Sequence, residues 1–91
     1  MAGTKEEAVE KARKDLAQRL KLNENDIKEK SVENANFPDT ALGASTDDEM
    51  SGQMLTSGWR IQLEGGGKTF EYRADKSQLR LFSFKGKNYK I

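Results

Sequence analysis

A chain of 91 residues with a formal net charge of +1, no cysteine and no histidine is one modest domain with a narrow chemical repertoire. The balanced charge argues against a nucleic-acid partner, which calls for a clear basic excess. No apolar run approaches the ~18 residues that span a bilayer, so no membrane partner is expected. The missing residues exclude Ser-His-Asp and Cys-His catalysis, disulfides and thiolate metal sites. The expectation is therefore a non-enzymatic single domain over 1–91, with no catalytic residues, no cofactor and no metal. The N-terminus MAGTKEEAVEKARK lacks the apolar core of a signal peptide. That leaves a cytoplasmic chain, or a secreted one whose leader has been removed.

Residues 4–22 read as a helix. Val9, Ala12, Leu16 and Leu20 recur at spacings of three and four, which is one apolar stripe. Thr4 followed three residues later by Glu7 has the form of a capping box. Glu7–Lys11, Glu10–Lys14 and Asp15–Arg19 stand at i,i+4 with the acid first. Such pairs contribute about 0.2–0.5 kcal/mol each, so burial of the stripe must hold the helix in place.

Residues 27–37 read as an edge or second strand. Ile27 and Val32 have opposite parity, which a bulge between them reconciles. Residues 38–52 show no period and form a long loop, of a length that is often functional or mobile. From 53 the alternation is clean. Trp59, Ile61 and Leu63 interleave with Arg60, Gln62 and Glu64 in a strand over 53–64. Gly65-Gly66-Gly67 supplies a hairpin turn. Phe70, Tyr72 and Ala74 mark a strand over 68–74, and Leu79 and Leu81 one over 78–84. The meander has one apolar face, which the helix stripe can cover. The reading is an α+β fold: one N-terminal helix packed on a curved four-stranded antiparallel sheet. The tail after Phe84 is read as a solubilising end that folds back on the core.

Segments SVENANFPDTALGAS and GWRIQLEGGGKTFEYRAD resemble a family of small, largely uncharacterised bacterial domains. That family carries a W-P-D-S-S-L-G-C-P loop and a G-Y-R-I-x-L-E…G-K-x-Y-E-Y-H segment. Phe37 stands at its tryptophan, and Pro38, Asp39, Leu42 and Gly43 match. Its loop cysteine falls at Ala44, its second cysteine falls close to Phe82, and its histidine falls at Arg73. The resemblance implies a frame and a loop that here lacks a disulfide staple. The architecture is also similar to the cystatin fold. Cystatins present a glycine-bearing N-terminal segment, a Q-x-V-x-G hairpin loop and a Pro-Trp loop. Gly3 and the stretch Gln53 to Trp59 stand nearest to the first two, with the Gln53–Gly58 spacing one residue too long and the Pro-Trp loop absent.

Two readings of NFPDTALGAS, which contains no lysine or arginine, follow from its residues. Pro38 fixes its own φ and extends Phe37, Asp39 can accept N–H bonds within a turn, and Gly43 permits a conformation closed to other residues. One reading is a stiff loop presented to a partner's cleft, since stiff loops lose less entropy on binding. The other is a structural corner with Phe37 and Leu42 buried. Asp47-Asp48-Glu49 lacks the D-x-D-x-D-G spacing of a calcium loop, and Gly65–Lys68 lacks the span of a phosphate loop. Arg60, Arg73 and Arg80 read as a solvated polar face.

The functional expectation is a protease-inhibitor-like binding domain. Its expected contacts are Phe37, Pro38, Asp39, Leu42 and Gly43 in one loop and Gln53, Gly58 and Trp59 in the other. The partner is then a protein, such as a protease, and the domain is a monomer or a weak homodimer. The alternative is an interaction or scaffold module that pairs with a peptide or its own copy through a sheet edge.

Overall fold

Thr4 begins the first element of the computed structural model, which describes residues 4–47, 49–50 and 52–91. Its side chain accepts the Glu7 N–H at 3.2 Å, the first half of the expected capping box, while the Glu7 carboxylate takes the Thr4 hydroxyl at 3.2 Å in place of the Thr4 N–H. Helix α1 spans Lys5–Leu20. It ends at Lys21, whose φ of 57° is left-handed. Lys21 N–H donates to the Gln18 carbonyl and Leu22 N–H to the Ala17 carbonyl, a Schellman closure that uses lysine where glycine is usual. Ala8, Val9, Ala12, Leu16 and Ala17 are buried.

Five strands follow: β1 Lys28–Phe37, β2 Thr56–Gly65, β3 Lys68–Ala74, β4 Leu79–Phe84 and β5 Lys87–Lys90. They form one antiparallel sheet in the order β1-β2-β3-β4-β5. The architecture is α+β as expected, with five strands in place of four. The tail expected to fold back as a plain end instead pairs as β5. Two backbone features explain the difference. Ser83 has φ 54°, and the β4–β5 register shifts between Leu81 and Phe84, so the strand flips there. Lys85 and Gly86 then turn the chain with φ of 53° and 84°, the primed geometry of a two-residue hairpin. The flip lets Phe84 join the helix-side core, while Phe82 keeps to the other face. Strand β2 starts three residues later than expected, and 53–55 lie outside it.

The expected bulge is present in β1, between Glu29 and Ser31. It brings Val32 onto the core together with Ile27, which precedes the strand. Gly66 and Gly67, at φ 60° and 80°, close the β2–β3 hairpin.

The core lies between α1 and the sheet. Ile61, Leu63, Tyr72, Ala74, Leu79 and Leu81 meet Ala8, Ala12 and Leu16 there. Fully burying one such aliphatic side chain is worth about 1.5–3 kcal/mol, several times any surface ion pair along the helix. One polar tie crosses this core. The Tyr72 hydroxyl donates to Asp15 at 2.7 Å, and Arg19 donates to the same carboxylate oxygen at 2.7 Å. Burial, and then the Asp15 carboxylate, raise the Tyr72 hydroxyl well above its ordinary pKa, so it remains a donor. Tyr72→Phe is expected to lower stability by about 1–2 kcal/mol, read as a lower urea midpoint at unchanged slope. An unchanged midpoint would show that this tie contributes nothing.

Candidate functional site

The second face of the sheet carries a row of cations. Arg60 pairs across strands with Arg73, Arg73 with Arg80, and Arg80 with Lys90. Like charges directly opposite one another destabilise a sheet, so this row needs neutralising partners. Glu71 supplies one: its Oε2 lies 2.7 Å from Arg73 Nε and 3.4 Å from Arg60 Nε. The segment between β1 and β2 supplies the rest.

That segment lies across the arginine row. Arg73 donates to the Leu42 carbonyl at 3.0 Å, Gln78 to the Thr40 carbonyl at 2.8 Å, and Asn88 to the Ser45 carbonyl at 2.9 Å. Arg80, only 3% exposed, donates to Glu49 through both terminal nitrogens, at 2.6 and 2.5 Å, and to the Ala44 carbonyl at 3.4 Å. Lys90 reaches the same carboxylate at 3.9 Å. Aromatic rings complete the shell. The Arg73 guanidinium sits 3.7 Å from the Phe82 ring centroid and 5.4 Å from that of Phe37, within cation–π range.

The sequence-expected contact residues are therefore distributed differently from a presented loop. Phe37 and Leu42 are buried, at 1% and 0% exposure, so the corner reading of these two side chains holds and they offer a partner no surface. Asp39 accepts the Ala41 and Gly43 N–H groups at 3.0 and 2.9 Å, which folds the loop on itself. Leu42 and Gly43 are both left-handed, at φ 59° and 68°, and a Cβ on Gly43 would stand 2.7 Å from Arg73 Nη1. Pro38 is exposed, as is Gln53. Gly58 lies inside β2, where a side chain would run into the Ala74 carbonyl. Trp59 is half-buried against the core. Gly3 and Asp48 lie outside the described residues. No group of three acidic side chains placed to hold a metal occurs among the described residues. Arg80, expected on a solvated face, is covered because the loop lies on it. The loop, which has no cysteine to staple it, is held by the Arg80–Glu49 pair.

With the helix on one face and this loop on the other, the exposed pairing surface is an edge. β5 is short, with lysine at both ends, a common protection against edge pairing. β1 is ten residues long and, among the described residues, has no strand on its outer side. Lys28, Lys30 and the bulge guard its first part, whereas Val32–Phe37 carries Glu33 as its one charge. A groove of about 650 Å³ lies between α1 and β1, lined in part by Val9, Arg13, Glu29 and Val32. A second, of about 450 Å³, lies beside Asn34, Asn36, Ser57 and Trp59. The edge strand was legible in the sequence; the grooves required the placement of the helix.

The sequence model of a domain of unknown function, DUF8738, matches residues 9–82. The chain belongs to that family. The match takes in the loop, the three arginines, β1 to β3 and β4 as far as Phe82 of this DUF8738 domain. No curated protein and no solved structure matches the chain.

The ion pair that holds the loop has a pH signature. The hydrogen bond from Arg80 comes first among the causes that bring the Glu49 carboxyl down from 4.5 to about 2. A depressed folded-state value means that the stabilisation is complete above pH ~4.5 and is lost as pH falls towards 2. Glu49→Gln is expected to cost about 2 kcal/mol at pH 7 and to flatten the fall in stability between pH 4.5 and 2. Denaturant titrations across that range test it. An unchanged acid slope would mean that the pair does not secure the loop.

Proposed function

We propose that this domain is a non-enzymatic binding module that captures an extended protein segment as an added strand along β1. The long free edge bordered by two grooves carries this reading. Main-chain hydrogen bonds along an exposed edge give affinity, and pockets beside it choose side chains. The residue set agrees, since histidine and cysteine, the side chains most used in acid–base and thiol catalysis, are absent. The domain alone is a monomer or a weak homodimer, a second copy's β1 being one segment that can compete for the edge.

A second reading rests on a different observation. Met54 and Leu55 are 66% and 71% exposed in the stretch that leads into β2. One helix over an antiparallel meander is cystatin-like in layout, and an apolar tip beside it suits a protease-inhibitor-like contact through 53–59. Likeness of fold is a weak guide to activity, so the edge reading is preferred.

Selection of a displayed random-peptide library on the purified domain, followed by amide shift mapping with the selected peptide, separates the two. Shifts concentrated on Lys28–Phe37 are expected. Shifts concentrated on 53–59, with inhibition of a protease, would support the second reading against the first.

A further inference from the structure

The groove between α1 and β1 has a chemical bias. Val9 and Val32 contribute apolar surface to its lining. Glu6, Glu10, Glu24 and Glu29 also line it, against Lys5 and Arg13 as the cations there among the described residues. Glu10 is engaged at 3.6 Å by Lys14, while Glu6, Glu24 and Glu29 make no ion pair among the described residues. A second observation is independent of these charges. The Nε–H of Arg13 is buried and has no hydrogen-bond acceptor among the described residues. A buried donor left unpaired costs about 1–3 kcal/mol, so such a group calls for an explanation. Arg13 lines the groove that runs between α1 and the free edge strand.

We infer that this groove is the specificity pocket of the β1 edge, and that it takes an extended segment carrying lysine or arginine at alternate positions. This rests on the strand-docking reading above. A strand added to β1 sends every second side chain to the helix side. A long basic side chain there lays its methylenes over Val9 and Val32 and brings its charge to the glutamates, as such side chains do on amphipathic surfaces. The partly exposed Arg13 side chain turns outward as the segment docks, so that its unused Nε–H meets a main-chain carbonyl of the segment. An acidic side chain at the same place meets three unpaired carboxylates. Rejection of acidic segments is thus part of the selectivity.

The test uses short, terminally blocked, labelled peptides in which Lys, Gln or Glu alternates with Thr and Val. Binding to the whole domain is followed by fluorescence anisotropy, with amide shift mapping for location. The lysine peptide is expected to bind about tenfold or more tighter than the glutamate peptide, with the preference shrinking as salt rises. Arg13→Lys keeps the charge and removes the Nε–H. It is expected to weaken the lysine and glutamine peptides alike, by about fivefold, without lowering the melting temperature. Equal or tighter binding of the glutamate peptide, with shifts still on β1, would overturn the pocket assignment and leave the edge reading standing. Full affinity in Arg13→Lys would overturn the role of that donor. Failure of every peptide to shift β1 amides would remove the edge reading and the pocket with it.

Discussion

A row of arginines that cannot stand alone organises this domain. Arg60, Arg73 and Arg80 lie side by side on neighbouring strands, where their mutual repulsion opposes sheet formation. Glu71 offsets part of it from within the sheet. The remainder is met by the loop, through the carbonyls of Leu42 and Ala44 and the carboxylate of Glu49, while Gln78 and Asn88 hold the Thr40 and Ser45 carbonyls beside them. The sheet and loop are therefore interdependent. Without the loop Arg80 would lose its carboxylate partner, and without the arginines the carbonyls of Leu42 and Ala44 would lose these donors. Both situations are costly in a protein interior.

That interdependence explains the composition of the loop. A segment with no lysine or arginine looks misplaced in a chain that is one-third charged. Laid on a cationic face, it is suited to its place: further cations would add to the repulsion, whereas carbonyls and an aromatic ring relieve it. The same covering decides what remains for a partner. One face of the sheet is taken by α1 and the other by the loop, and β5 is short and flanked by lysines. β1 is left as the extended surface with unused main-chain pairing capacity, and the function proposed for the domain follows from that remainder.

Much of the frame was legible in the sequence because its signals are local. The Thr4–Glu7 cap and the stripe through Val9, Ala12 and Leu16 are visible within one helix. The β2–β3 hairpin is written in two alternating runs around Gly66 and Gly67. β5 was missed because its cue is a left-handed Ser83, a residue type that does not announce φ > 0. It was also missed because Lys-Asn-Tyr-Lys shows no clear alternation. The loop was recognised as unusual, and Leu42 and Gly43 as its special positions, but its direction was not decided. The contacts that decide it join Arg73 to Leu42 and Arg80 to Glu49, each pair 31 residues apart. No periodicity encodes such contacts. Arg13 was hidden for a related reason. Within α1 it reads as one more charge on a solvated face, and the burial of its Nε–H becomes visible only in the folded chain.

Amide hydrogen exchange of the free domain near neutral pH addresses the central claim most directly, because it reports opening residue by residue. The amides of Ala41, Gly43 and Ala44, which donate to Asp39 and to the Ala41 carbonyl, should be protected almost as well as those of β3. Alternate amides along β1 should exchange far faster. Unprotected loop amides at 41–44, or uniform protection along β1, would contradict an arginine-bound cover that leaves one edge open.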